Sequence, residues 1–353
     1  DQMSRIGFGA YRVSKENLSH YKALRESVNR GVNVIDTATN YTYGDSERLI
    51  GNLISESQSS ESLFIITKAG YSNEHDKKTL GDKIKSIKGK FFYSIHPDYL
   101  KQRIELSKSR LNKKRLDGFL LHNPEYLMNV VGPEDDLIDI VNEIGVNNNC
   151  KLIQFPYNLF ESEAYHNGII SQAKNAGMHI LSNRPFNSRN NGIPIRLSKY
   201  VRFVNPNDIH KYLEDFFSLL NEQLIKVSDE DIQSFEVVKL LNSEWANLAF
   251  PDLVEAVFQN KLIPFVNALY DGLVPEKVEV QLNQLKIHLR NYSLYNGSKI
   301  TADTMVEKKI ISNREDFHSN SMIIEQYLKE GIDTVLVGMR KPEYVKNLIS
   351  LLK

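Results

Sequence analysis

The chain has almost no sulfur chemistry available to it: among its 353 residues there is one cysteine, Cys150, so no internal disulfide can close. Stability must then come from a packed core, and a reducing compartment such as the cytoplasm is the expected location. Long hydrophobic runs are missing too. No apolar stretch approaches the roughly 20 residues that cross a bilayer, and no secretory signal is read at the start, so no membrane partner is expected. An excess of either charge is also absent, 44 Lys and Arg standing against 44 Asp and Glu. Without a basic field, nucleic acid is not expected as a partner, and no metal site is expected either.

What is present is a chain longer than a typical domain, whose most informative stretch is residues 32 to 51, VNVIDTATNYTYGDSERLIG. The apolar run from Val32 to Ile35 reads as a buried strand that ends on Asp36, and Tyr41 follows five residues later in a polar turn before a helix. An acid and a phenol this close suggest proton chemistry, although a strand-ending Asp is often only a helix cap and a turn Tyr often only surface. Two more buried runs point the same way. Leu63 to Thr67 delivers Lys68, and Phe119 to Leu121 delivers His122. In a parallel αβ barrel the carboxyl ends of different strands meet at one mouth, where the chemistry of such enzymes sits.

The segments IDTATNYTYGDSERLIG, FIITKAG and DGFLLHNPE, in this order, resemble the aldo-keto reductases. The resemblance implies a (β/α)8 TIM barrel, one barrel domain over residues 1–353, and an oxidoreductase that uses NADPH, with NADH the less favoured cofactor. The family's catalytic Asp, Tyr, Lys and His fall on Asp36, Tyr41, Lys68 and His122. Reducing a carbonyl requires a proton on oxygen as hydride reaches carbon. Tyr41 would supply it, Lys68 would lower the phenol's pKa, Asp36 would hold Lys68, and His122 would orient the carbonyl.

The same resemblance places a cofactor. In the opening strand Gly9, Ala10 and Tyr11 would lie beside the nicotinamide, and Gln154 in KLIQFPYN near its carboxamide. In HILSNRPFN, Asn183 or Arg184, followed by Pro185, stands where many relatives carry a stacking aromatic, which offers Arg184 to a phosphate. The last stretch, IDTVLVGMRKPEYVKNLISLLK, reads as a strand, a glycine turn and a helix from about Pro342. Backbone N–H groups with Arg340 and Lys341 make an anion site there. The family's adenosine phosphate site would fall on Gly338, Met339, Arg340 and Tyr344, while Asn347 and Leu348 replace an expected Glu-Asn pair.

Periodicity fills in the remainder. Residues 15–30 predict a helix with Leu18, Tyr21, Leu24 and Val28 on one face, stopped by Gly31. Leu49, Ile50, Leu53 and Ile54 mark a second, capped by Asp45 or Ser46, and Pro97 to Leu111 a third. Residues 72–96 are polar and Lys-rich and read as an extended loop over the mouth or a solvated excursion. Between His122 and the strand Leu152–Phe155, about 30 residues hold one clear helix, Glu134 to Ile144. One αβ unit is therefore short. Either chain is missing near Asn129 and Val130, or the barrel is truncated and leaves an open edge. The family's Ser-Asn pair on the fifth strand has no match, since Gly145 to Asn148 comes too late.

From about 206 to 330 the stripes Leu213, Phe216, Phe217 and Leu220, then Ile232 to Leu241, Leu248 to Leu269, and Val280 to Leu289 read as core-facing and predict a helical insertion packed beside the barrel rather than a separate catalytic domain. The insertion is expected either to cover the active site or to offer a surface for a protein partner. The expected substrate is a small aldehyde, ketone or sugar-like carbonyl, or the alcohol in the reverse direction. The alternatives are a cofactor-binding regulatory or structural subunit with little turnover, and a barrel lyase or isomerase that binds no nicotinamide.

Overall fold

The structure, a computed structural model, describes residues 2–56, 62–87, 89, 91–124, 151–224 and 240–352. The predicted helix Glu134–Ile144, Gly145 to Asn148, the gap at Asn129 and Val130, and Cys150 lie outside these residues, as does most of the Ile232–Leu241 stripe. In chain order the elements are β1 (Ile6–Gly9), α1 (Leu18–Asn29), β2 (Val34–Asp36), α2 (Asp45–Glu56), β3 (Phe64–Ala69), β4 (Tyr71–Ser72) and α3 (Glu74–Leu80). They continue with β5 (Lys85–Ile87), β6 (Phe91–Tyr93), α4 (Pro97–Leu111), β7 (Gly118–Leu121), β8 (Leu152–Pro156) and β9 (His179–Asn183). After β10 (Asn187–Asn190), β11 (Ile193–Arg196) and a run of helices, β12 (Thr334–Val337) closes the series.

Seven of these strands form one parallel sheet, in the order β7-β3-β2-β1-β12-β9-β8. Its central strands are continuous apolar runs because helices cover one face and the sheet's own interior fills the other. Residues of one parity point inward, and they meet: Val34, Ile66, Leu181 and Leu336 form a buried cluster joined by Leu120 and Leu152. Gly7 belongs to that parity. A Cβ there would stand 2.6 Å from Leu336 Cδ2, so the interior is already full at this level. The sheet's edges also approach each other, since a Cβ on Gly118 of β7 would lie 2.9 Å from Leu152 Cδ1 of β8. The sheet is a nearly closed, plugged barrel, and residues 125–150 separate the two edges in sequence.

Several elements follow the sequence reading closely. The third helix runs Pro97–Leu111 with proline in its first turn, where a missing N–H costs nothing. Gly31, at φ +97°, ends the turn after α1. Other expectations are corrected. Residues 72–96 are not an extended loop: α3 and the antiparallel sheet β4-β6-β5 occupy them. The segment is tied down by the buried Asp76, which pairs with Arg103 of α4. Leu18 opens α1 at 65% exposure, because the buried face is carried by Ala23, Leu24 and Ser27. Ser46 does not cap α2 but bonds Ala10 O at 3.0 Å and Thr37 Oγ1 at 2.8 Å. Leu121, expected in a buried run, is 43% exposed because β7 is an edge strand.

The chain divides into two compact units, residues 1–157, 162–185 and 323–353 in one and residues 158–161 and 186–322 in the other. The first holds the barrel sheet. The second contains the β10–β11 hairpin and the helices Pro206–Leu224, Pro251–Val257, Ile263–Leu269 and Glu276–Glu307. Its core gathers Leu213, Phe216, Leu220, Trp245, Phe258, Leu285 and Leu289. Phe217 packs against it partly buried, and Val280 points outward at 49% exposure, on the helix face opposite the buried stripe of Val278, Leu282 and Leu285. No helix among the described residues is long and apolar enough to cross a membrane.

Candidate active site

Strand alternation builds the site directly on the apolar plug. Two residues beyond the clustered Val34, Ile66, Leu120, Leu152, Leu181 and Leu336 stand Asp36, Lys68, His122, Gln154, Asn183 and Gly338. A period of two returns each to the same inward face, so the layer above the plug is polar. Gly9 stands level with Asp36 in the β1–β2 pairing. A Cβ at Gly9 would come 3.4 Å from Val337 O and 3.7 Å from Gly338 N, which places the first and last strand ends side by side.

Within this layer Lys68 Nζ lies 2.6 Å from Asp36 Oδ1 and donates to Thr37 O at 2.7 Å, both side chains being buried. The same Nζ sits 5.2 Å from the ring centre of Tyr41. Tyr41 is flanked edge-on by His122 at 5.6 Å and by Tyr11 at 5.3 Å between ring centres. On the far side of His122, Tyr71 packs at 4.9 Å, and Asn123 Nδ2 holds the Tyr71 hydroxyl at 2.9 Å. Tyr11 is 59% exposed, so this aromatic row runs from the interior to solvent. Asp36, Tyr41, Lys68 and His122 thus converge as the sequence suggested.

The turn that carries Tyr41 is strained. Thr42 and Tyr43 take left-handed backbone angles, φ 48° and 55°, and Gly44 follows at φ 89°. A β-branched residue such as Thr rarely adopts this region, and each such residue costs on the order of 1–3 kcal/mol. Against the turn lies a network the sequence reading missed. Glu47, wholly buried in α2, accepts from Thr67 Oγ1 and Ser107 Oγ at 2.7 Å each and pairs with Arg110 Nη1 at 3.0 Å. One signal was available: Glu47 shares a helix stripe with Ile50 and Gly51, where an acid is out of place unless paired.

Electrostatics at the site correct one expectation. Tyr41 was expected to have a lowered pKa because a cation lies beside it. Instead its phenol is pushed well above the ordinary tyrosine value, by burial first and then by the charge of Asp36, with Arg184 acting in the opposite sense. The lysine is already engaged by Asp36 and Thr37 O. Burial likewise raises Asp36 and lowers Lys68, against the attraction of each for the other. Glu47 adds a second anion that favours the charged lysine. Burial, helped by the Lys68 charge, pushes His122 down to about 3, so its imidazole is neutral at ordinary pH.

Other candidates fall at the rim. The Gln154 side chain hydrogen-bonds Asp36. Gln154 Oε1, in the middle of β8, and Asn183 Oδ1, at the end of the neighbouring β9, are buried and find no hydrogen-bond partner among the described residues. Ala10 is buried, its N–H bound to Asp36 O at 2.8 Å. Arg184 has φ 54°, and Pro185 O accepts from Tyr327. After β12, Gly338 and Arg340 are exposed, Met339 is buried, and Tyr344 lies under Lys341 Nζ at 5.9 Å. The helix expected near Pro342 is there, as the short Pro342–Lys346.

A plugged parallel barrel with a charged and aromatic layer at its carboxyl mouth has the construction of a barrel enzyme. The chain belongs to the aldo/keto reductase family, whose model matches residues 5–182. Among curated proteins it is 23% identical over 190 residues to the aldo-keto reductase YhdN of Bacillus subtilis, covering 46% of this chain and 52% of that one. It is 26% identical over 120 residues to the uncharacterized oxidoreductase YqkF of the same organism, covering 34% and 35%. The chain therefore matches about half and about a third of the length of these relatives. Among solved structures the glycerol dehydrogenase AKR11B4 from Gluconobacter oxydans shares the fold with TM-score 0.50 and 15% identity, covering 99% of this chain and 87% of that one.

Proposed function

We propose that this chain is an NADPH-dependent oxidoreductase that reduces an aldehyde, ketone or sugar-like carbonyl, with Tyr41 as proton donor. The observation that carries the reading is the convergence of Tyr41, His122 and the Asp36–Lys68 ion pair in one buried layer above the plug. The residues suit a nicotinamide dinucleotide. Gln154 Oε1 and Asn183 Oδ1 are buried acceptors in need of donors, and a carboxamide NH2 supplies two. Gly338 leaves backbone room, since a Cβ there would meet nothing within 4 Å. Gly9, Ala10 and Tyr11 would line the nicotinamide end, with Arg184 and Pro185 beyond it. Met339 and Tyr344 would flank the adenosine end, and exposed Arg340 would hold the ribose 2′-phosphate that distinguishes NADPH from NADH.

When bound, the cofactor supplies the hydride. This chain's own residues supply the rest. Tyr41, with its pKa raised, keeps its proton at neutral pH and is in the form that can protonate the carbonyl oxygen. His122, held neutral, donates a ring N–H to the same oxygen and so orients it. The Lys68–Asp36 pair fixes a positive charge beneath the phenol, where negative charge grows during the transfer.

Fluorescence titration with NADPH, followed by turnover of a carbonyl panel, tests the reading. Binding with turnover supports it. Binding with no turnover of any carbonyl would favour a regulatory subunit, and no binding would point to unrelated barrel chemistry.

A further inference from the structure

We propose that Arg110 is a positioning residue which, with Glu47, clamps the left-handed turn that presents Tyr41 and so sets the phenol's place over Lys68. The inference rests on the reductase reading above, but its geometry stands apart from any substrate. Arg110 projects from the last turn of α4. Its Nη1 lies 3.0 Å from Glu47 Oε2 and donates at 3.0 Å to Thr39 O, two residues before Tyr41. Thr39 in turn gives both its N–H and its Oγ1 to Lys68 O, at 3.0 and 3.1 Å. Thr67, the residue before Lys68, bonds Glu47 Oε1. One ion pair therefore reaches the backbone on the approach to Tyr41 and both flanks of the Lys68 peptide.

The other end of the turn touches the same group. A Cβ at Gly44 would stand 2.4 Å from Arg110 Cζ, so the guanidinium lies against the turn's backbone, and the φ of 89° there favours glycine. The turn is thus pinned at Thr39 and at Gly44, with the left-handed Thr42 and Tyr43 between. Strained conformations of this kind persist only when their surroundings over-determine them. Thr42 Oγ1, bonded to Val13 O at 2.7 Å, is a third pin on the turn. A buried ion pair is weak evidence for stability, because well-packed apolar side chains often serve as well. What Arg110 supplies that an apolar residue cannot is the bond to Thr39 O.

Two variants separate this role from helix packing. Glu47→Gln/Arg110→Met removes both charges, so that none is stranded, and Arg110→Ala opens a guanidinium-sized space beside Gly44. Hydrogen exchange of residues 37–44, without any ligand, reads the turn itself. Its protection is expected to fall about tenfold or more in both variants, with the barrel strands unchanged. In turnover, kcat is expected to fall about 10- to 100-fold, as a misplaced donor requires, with KM and the NADPH Kd within about threefold. Millimolar guanidinium should restore part of kcat to Arg110→Ala and nothing to Lys68→Met.

Unchanged exchange at 37–44 would overturn the clamp, as would a loss of kcat and NADPH affinity in step. If the double variant does not fold, Arg110→Ala with and without guanidinium decides: no rescue of either exchange or kcat would overturn it. If the wild type reduces no carbonyl, the reductase reading is what fails, and the exchange at 37–44 alone decides the clamp.

Discussion

Lys68 Nζ lies 2.6 Å from Asp36 Oδ1, an ion pair with both side chains almost fully withdrawn from solvent. Glu47 adds a smaller favourable charge for Lys68, but the close ionic contact of each group is with the other. The pair sits directly under the Tyr41 ring and joins the sheet's interior to its mouth.

Lys68→Met should therefore act twice. It strands a buried carboxylate, which costs about 3–5 kcal/mol of stability, and it removes the positive charge beneath the phenol. Urea unfolding should show the first effect and kcat the second. Asp36→Asn/Lys68→Met should recover most of the stability without recovering the rate. If the double variant regained the rate, the cation would have no part in the chemistry.

His122 gives a pH signature. Its folded value of about 3 lies below the 6.5 of the free side chain, so the unfolded state takes up the proton first as pH falls. Its contribution to stability is complete above the unfolded value and is lost as pH drops from there toward the folded one, at about 1.4 kcal/mol per pH unit. Unfolding of wild type and His122→Gln, compared at intervals through this window, should show the wild type losing stability more steeply than the variant by that slope. Parallel stability curves for the two would show that His122 is not held neutral.

Arg340→Glu should weaken NADPH far more than NADH, by about 1.5–3 kcal/mol for one charged hydrogen bond. The two dissociation constants measured by fluorescence give the difference directly. Equal losses for both cofactors would remove Arg340 from the phosphate site.

The barrel and the core of the site were legible because they follow from local pattern. Val34–Ile35, Ile65–Ile66 and the runs beyond them are apolar on both faces, and the first polar residue of inward parity marks the mouth, so Asp36, Lys68 and His122 announce themselves. The β4-β6-β5 sheet was not legible. Its strands are two or three residues long and Lys85 and Ser86 face solvent, leaving no alternation long enough to read. The direction of the Tyr41 shift also lay beyond the sequence, since it depends on burial and on the charge of Asp36. The Glu47–Arg110 pair spans 63 residues, and only folding shows that Gly44 and Gly51 exist to admit it: a Cβ at Gly51 would stand 2.1 Å from Arg110 O.

The measurement that tests the central claim most directly is Tyr41→Phe, with kcat on the best carbonyl and the NADPH Kd determined side by side. Removing one hydroxyl leaves the ring contacts with Tyr11 and His122 in place, so fold and cofactor affinity should survive. General acid catalysis contributes typically about 10²- to 10⁴-fold, and kcat should fall by that much with Kd nearly unchanged. A Tyr41→Phe protein that reduces carbonyls near the wild-type rate would contradict the assignment and place the proton donor elsewhere.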